Sequence, residues 1–568
     1  MRQCWEPAVL VLLIAGDRGG RALYSESAMP HTDPRPSPPP RPSIRRAFFA
    51  VPDIRGRWAA ALRAGLAFAI PAVALYLVGF ERDALLAALG GFAALYGEKR
   101  PYRVRWRAVL TASVLLVAAS AGYGALGAWA GPHASTPQDL VIVALLVAGA
   151  ALVTFGVNAL RLGPPGPFFF VLTAAVASVV TRHGVDLVPL VIATTAGGVG
   201  ALIVAMAPGL WRPHGPETAA TLAAMAAAED YLEGNRGADR ARRHGVALST
   251  LHAWTVLHDA AATNTALAQQ LWQAMHRLHG ARDPLAISPP LGRPTVAHRL
   301  RKAAAPFSHA RITTGRVIVS AFCAGAISVV VGLTRPDWAI LGAVLVLQLG
   351  PDRIRGVIRG AHRLAGTVVG LVVFAALHLL DLGVPALIVS IAVLNVLIEL
   401  TIVGNYAVAV TFITPLAMLM GTPSADITVP VRDRFLETLV GVVLAIASMW
   451  LVGTHLHRRS ATRADDAVLV DVDHVLETVT VVPVGAPESL VARRDLQWTL
   501  LESEMTATDA AGDDPPWARE HWAHHVAVCQ VGYETLSWCW RADQSRSLDP
   551  TLVGMLTERR LLLGPPAP

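Results

Sequence analysis

The chain has 568 residues, 53% of them hydrophobic and only 16% charged, with a mean hydropathy of +0.47; this excludes a string of ordinary soluble domains and points to a polytopic membrane protein. The formal charge of +7 is carried almost wholly by arginine, because Lys99 and Lys302 are the only lysines. Glu98 and Arg301 precede them, so neither has the Gly-Lys context of a phosphate-cradling loop, and an ATPase engine of that kind is excluded.

Residues 1–54 are expected to form a disordered, Pro-rich N-terminal extension. The apolar stretch 8–16 is too short to span, seven prolines follow between Pro30 and Pro42, and Met29 is an alternative start. A secretory signal would need a basic leader and a small-residue cleavage site, which the stretch lacks. The four cysteines, Cys4, Cys323, Cys529 and Cys539, show no paired spacing, which fits soluble parts in a reducing interior.

From residue 55 the chain repeats itself. RAGLAFAIPAVALYLVGF (63–80) is answered by RVIVSAFCAGAISVVVGL (316–333), and in each case an acidic residue, Asp83 or Asp337, opens a short apolar run that leads to a basic loop. Segments of low charge run 64–80, 84–97, 108–131, 140–160, 162–181 and 187–210 in the first copy. In the second they run 317–334, 338–350, 364–380, 382–398, 400–425 and 439–454. A spanning helix needs about 20 apolar residues, so the second segment of each copy must tilt little, borrow its flanks or be broken.

Charge then predicts orientation. Lys99, Arg100, Arg103, Arg105 and Arg107 follow the short segment of copy one, and Arg353, Arg355, Arg359 and Arg363 that of copy two, which places both loops in the cytoplasm. Counting outward puts Arg55 and Arg57, the 211–311 region, and the tail from His457, Arg458 and Arg459 inside. The outer loops 81–83, 131–139, 334–337 and 422–430 are poor in Arg and Lys. An even number of spans per copy makes the repeats parallel. The expected fold is therefore an all-α polytopic membrane protein of twelve helices in two parallel six-helix repeats, each followed by a cytoplasmic helical region. Its domains are 55–210, 211–311, 312–456 and 457–568. In the first soluble region Leu248, Leu251, Trp254 and Leu257 recur at helical spacing, and the two soluble regions share Arg-Arg before a Trp-bearing helix ending Asp-Ala-Ala (259–261 and 509–511).

Polar residues within the predicted core are few: Gln348, His378, Asn395, Glu399, Asn405, Thr411 and Thr414, with Asn158, Arg161 and Thr173 in copy one. Charge at membrane depth is costly and suggests function, although Glu399 and Arg161 lie at segment ends where snorkelling suffices. Thr411, Thr414 and Pro415 are placed to interrupt a helix and line a path. Gly366 and Gly370 read as a close helix contact. Asp337 with Arg335 flanks the short helix as an anchor or a protonatable gate, and Arg359 with Arg363 could gather organic anions. Asp433, Arg434 and Glu437 open the last membrane helix, where the acids favour the helix dipole. His521, His524, His525 and Cys529 share a helical face, but no second Cys or carboxylate matches them, so an amphipathic helix is the simpler reading and no metal is expected.

The runs WAILGAVLVLQ (338–348), RLAGTVVG (363–370), NYAVAVTFITPL (405–416) and DRFLETLVG (433–441) resemble the FUSC family, the fusaric-acid-resistance and aromatic-acid-exporter-like membrane proteins. The resemblance covers most of 55–460. In copy one it is degenerate, with RAVLT (107–111) where Arg-x-x-Gly-Thr would stand. It implies export of small aromatic carboxylates or related toxic compounds across the cytoplasmic membrane. The expected activity is a secondary exporter driven by the proton gradient. The alternatives are a passive organic-anion channel or a membrane scaffold acting through its helical cytoplasmic regions. An enzyme is not expected, nor a cofactor or a nucleic-acid partner. The expected partners are the lipid bilayer and a small organic anion, with homo-oligomer formation left open.

Overall fold

A computed structural model describes residues 36–565, apart from 42, 44, 46–47, 50, 52–53, 55, 164, 234–239, 280–288, 349, 351, 422–426 and 454. The extension before residue 36, Arg55 and most of the outer loop 422–430 lie outside the described residues. The described residues are organised as helices joined by turns, in two compact units. One holds Pro42–His214 and Val296–Leu456, the other Gly215–Thr295 and His457–Pro568.

In the first unit α1 spans Trp58–Leu77 and is followed by a broken segment, a 3-10 turn Glu81–Leu86, α2 (Ala87–Gly91) and a 3-10 turn Phe92–Leu95. Then come α3 (Tyr102–Ala130), α4 (Thr136–Ala159), α5 (Phe168–Arg182) and α6 (Leu187–Met206). After α7 (Gly215–Glu233), α8 (Arg240–Ala260) and α9 (Ala266–His279) of the other unit, α10 (Val296–Ala304) leads to α11 (His309–Val331), α12 (Pro336–Leu347), α13 (Arg353–Leu379), α14 (Val384–Thr401), α15 (Tyr406–Gly421) and α16 (Thr428–Leu451). Eight of these, α1, α3, α4, α6, α11, α13, α14 and α16, are long and apolar enough to cross a membrane; α5, α12 and α15 are shorter apolar helices.

Burial separates the long helices from the short ones. The long helices carry apolar side chains on both faces. In α1, Ala61, Ala64, Phe68 and Ala72 are buried while Leu62, Leu66, Ile70, Val73 and Leu77 form an exposed stripe. A stripe that large in water would drive aggregation, whereas against lipid tails it is neutral. The short helices have no outer face, since Phe168–Thr181 in α5 and Asp337–Leu347 in α12 are buried throughout. Length explains the division: a helix too short to span is satisfied only where protein surrounds it on all sides.

Pairings in the first region recur in the second. α3 packs on α5 as α13 packs on α15, α3 on α6 as α13 on α16, and α2 on α6 as α12 on α16. The first helix of each region packs on the third long helix of the other, α1 on α14 and α11 on α4. Glycines set the closest contacts. A Cβ on Gly197 would lie 1.9 Å from the Ala87 carbonyl oxygen, and one on Gly441 would lie 2.2 Å from that of Ala339. Only glycine allows the short segments to approach α6 and α16 so closely.

Of the forms expected for the short segment of copy one, the structure shows the broken one, a 3-10 turn, α2 and a second 3-10 turn, with Gly90 and Gly91 abutting the Thr194 and Ala67 carbonyls. One expectation is corrected here. Pro415 does not interrupt its helix: α15 runs unbroken from Tyr406 to Gly421 with Pro415 inside it.

The second unit comprises α7 (Gly215–Glu233), α8 (Arg240–Ala260) and α9 (Ala266–His279), and α17 (Leu456–Val481), α18 (Pro487–Asp513), α19 (Pro515–Arg541) and α20 (Pro550–Leu561). Its helices bury two apolar clusters, Trp254, Leu257, Leu271 and Trp272 in one and Val468, Val472, Leu496, Leu500 and Val528 in the other.

Candidate functional site

The charged residues of the second region gather where α12, α13, α15 and α16 meet. Asp433 of α16 accepts hydrogen bonds from the Thr334 backbone N–H (3.2 Å) and hydroxyl (2.7 Å), and from Arg432 Nε (2.9 Å) and Nη2 (2.8 Å). One turn on, Glu437 Oε1 accepts from the Arg335 backbone N–H at 2.6 Å. Arg335 in turn grips Asp337 with two bonds of 3.0 Å. The acids of α16 therefore do not cap their own helix, which starts further back at Thr428. They satisfy orphan donors at the start of the neighbouring short helix α12 instead.

Between the two acids, Arg434 points inward and is 1% exposed. Its guanidinium carbon sits 3.5 Å from the centre of the Trp338 ring, and none of its three nitrogens has a hydrogen-bond partner. Arg363, Glu437, Asp337 and Arg335 are its charged neighbours. Arg363 of α13 is wholly buried, its three nitrogens also lack partners, and the Tyr406 hydroxyl faces it at the margin of hydrogen bonding. The hydroxyls of Thr367 and Thr414 and Oε2 of Glu437 are buried without partners too. Thr367 lies one turn beyond Arg363 on the same helix face, and Thr414 packs against Gly370, whose Cβ would come 3.1 Å from Thr414 Oγ1.

Two buried guanidinium groups near each other repel and are desolvated; a charge at membrane depth costs about 3 kcal/mol or more. A cation over a desolvated indole recovers about 2 kcal/mol for Arg434, and Arg363 has no such ring. An anion held by both forks would satisfy the donors and remove the repulsion, since guanidinium matches carboxylate geometry bidentately. The glycine reading for this helix pair holds: a Cβ on Gly366 would lie 2.4 Å from the Ala407 carbonyl oxygen.

Four other predicted residues do structural work. Arg359 closes the end of α12, its Nε donating to the Val346 carbonyl at 2.8 Å. Gln348, next to it, lies against the loop before α5 near Gly166, its Oε1 unpartnered. Asn405 caps α15, accepting from Ala407 N at 2.9 Å and donating to the Phe48 carbonyl at 3.1 Å. Thr411 bonds back to the Ala407 carbonyl at 3.2 Å. Asn158 and Asn395 bond back to their i−4 carbonyls at 2.9 Å each, and Glu399 pairs with Arg57.

The histidines of the second unit do not converge. His521 is exposed and stacks on Trp517, while His525 turns into the core to meet Asp465 at 2.9 Å, with Ser503 donating to the same carboxylate at 2.5 Å. Among the described residues no three His, Cys, Asp or Glu side chains come together as metal ligands. Sequence reading passed over Trp338 and Tyr406 as site residues. Both had a signal: Trp338 adjoins the Asp337 that opens a short segment, and Tyr406 is the only tyrosine between 309 and 451.

Residues 322–448, which contain this cluster, match the family described as fusaric acid resistance protein-like. The chain is similar to an uncharacterized membrane protein, YvaC, of Bacillus subtilis (strain 168), with 24% identity over 432 residues covering 64% of this chain and 67% of that one. No solved structure matches the chain. The resemblance in the second region is thus shared by the family model, and the chain is a multi-pass, all-helical membrane protein.

Proposed function

We propose that this protein is a secondary exporter of small aromatic carboxylates or related organic anions, working across the cytoplasmic membrane with both termini inside. The observation that carries the reading is the pair Arg363 and Arg434, whose six buried guanidinium nitrogens have no hydrogen-bond partner within a bundle of apolar helices. A resident carboxylate would have paired them if their role were only structural, as Arg335 is paired by Asp337. In this reading the bundle has twelve crossings in two parallel six-segment repeats. Support comes from the eight long helices, the three short apolar helices, the broken segment 81–95, and the helix pairings that occur twice. The excess of Arg and Lys after each short segment supports the orientation.

The proton-motive force is the drive. Its electrical component, negative inside, favours outward movement of an anion by about 2.3 kcal/mol per charge for each 100 mV. Glu437 supplies a carboxyl beside Arg434 with one oxygen free, so a proton there removes the internal competitor for that guanidinium. The test is flux of benzoate in liposomes holding purified protein, under an imposed potential and an imposed pH gradient. Uphill benzoate movement on imposing the pH gradient with the potential clamped at zero, lost in Arg363→Gln and Arg434→Gln, is the expected result. Flux that follows only the concentration of benzoate and the imposed potential, with no response to the pH gradient, would leave the channel alternative; unchanged flux in both variants would discard the site.

A further inference from the structure

The second unit has a cavity of its own, ≈ 130 Å³, enclosed by α7, α8, α9, α18 and α19. Its walls are mostly apolar, and an apolar cavity of about 150 Å³ admits a single benzene ring. One charged group within it stands out. Arg493 of α18 is 7% exposed and lines the cavity, and only its Nη1 makes hydrogen bonds, to the Val484 carbonyl at 3.1 Å and Gln544 Oε1 at 3.2 Å. Both acceptors are neutral, and no carboxylate pairs with Arg493 among the described residues. Arg494 next to it is neutralised by Asp495 at 2.8 Å, so the two adjacent arginines differ in kind.

The aromatic side of the cavity is built around Trp540. The Arg493 guanidinium carbon lies 5.5 Å from the Trp540 ring centre, and His279 stacks parallel to that ring at 5.6 Å. Burial, with Arg541, His276 and Arg493 nearby, pushes His279 down to about 3, so it adds no second positive charge at neutral pH. The site therefore offers one unpaired cation, flat aromatic walls and room for one ring.

We propose that this cavity binds a small, single-ring aromatic monocarboxylate, with its carboxylate on the unused edge of Arg493 and its ring among the apolar walls beside Trp540. One cation matches one negative charge, and the apolar lining disfavours phosphates and polyanions, whose remaining charge would be buried unpaired. The assignment stands on the cavity and its cation, independently of the transport reading.

The test is photolabelling of the full-length protein in lipid nanodiscs with 4-azidobenzoate, mapping of labelled peptides by mass spectrometry, and competition with benzoate or its neutral isostere benzamide. Label is expected in 246–279 and 490–540, with benzoate protecting at least tenfold better than benzamide. Arg493→Gln should raise the protecting benzoate concentration at least tenfold. Ala247→Phe, which fills the cavity and keeps Arg493, should remove this label while leaving any label on membrane helices in place. Label confined to 334–441 would overturn this inference and leave the transport reading intact; label confined to the second unit would do the reverse. Equal protection by benzamide, or unchanged protection in Arg493→Gln, would also overturn it.

Discussion

The two membrane regions, 58–210 and 309–451, share a packing scheme and differ in what they bury. Aligning Thr194 and Gly197 of α6 with Thr438 and Gly441 of α16 places each glycine against a carbonyl of its own short segment. In that alignment Leu190 stands where Arg434 stands, and Ala193 where Glu437 stands; both first-region residues are fully buried. Counting from Asp83 and Asp337, Ala84 takes the place of Trp338. Arg107, the counterpart of Arg363, is exposed and lies over Trp106, 5.4 Å from its ring centre. Close glycine contacts are thus common to both regions, and each buries an arginine, since Arg105 in the first is 3% exposed beside the Tyr102 ring; the pair of buried arginines with all six nitrogens unpartnered, and the indole over one of them, belong to the second. Scaffold and chemistry are separable in this molecule, which is what a duplicated bundle with one specialised half requires.

The comparison can be broken most severely by moving charge to the wrong half. Leu190→Arg puts a guanidinium where no acid or indole awaits it, and should cost about 3–5 kcal/mol. The expected result is loss of folded, detergent-extractable protein; normal yield would show that the first region tolerates charge as the second does. The reverse change, Arg434→Leu, should leave the folded yield and melting temperature near those of the parent while benzoate flux falls about 100-fold, a loss of about 2.7 kcal/mol. Retained flux would remove the asymmetry.

The shared scaffold predicts equal damage. Gly197→Ala and Gly441→Ala each force a Cβ onto a carbonyl, and each should destabilise by about 1–3 kcal/mol, read as matching drops in melting temperature. A large difference between the two would mean that the regions do not pack alike. The smallest effect concerns the second unit. His279 is held at about 3 when folded against an ordinary value near 6.5, so the unfolded chain takes up the proton first. Its contribution is complete above about pH 6.5 and declines as pH falls from there towards 3. Full-length protein should lose a few degrees more between pH 7 and pH 5 than His279→Gln does, in thermal melts followed by circular dichroism. Equal losses would place His279 outside the buried, neutral role.

Much of this was legible beforehand. The repeat, the short second segments and the apolar runs follow from local hydropathy, and Gly366 with Gly370 reads as a helix contact from spacing alone. Thr414 was a candidate because polar groups are rare at that depth, and Arg363, Arg434 and Glu437 because they stand in the runs that resemble the family. Their partners were not legible. Arg359 and Asn405 look as functional as Arg363 on the page, yet one closes α12 and the other caps α15. Asp433 and Glu437 look like caps of their own helix, yet serve the turn before α12. Arg493 looks like one of a basic pair, and only the fold leaves it without an acid while Asp495 takes Arg494.

What the sequence determined by itself is the solvent of each segment, because transfer free energy is summed over a segment and needs no knowledge of neighbours. It also determined where helices may touch, since a glycine's missing Cβ is a local fact. What only the tertiary structure decided is which buried charges are satisfied. A hydrogen bond such as that between Arg335 and Glu437, or a cation–ring contact such as that of Arg434 with Trp338, depends on distance and angle between groups far apart in the chain. Satisfaction separates an arginine that closes a helix end, as Arg359 does, from one buried with its nitrogens unpartnered, as Arg434 is.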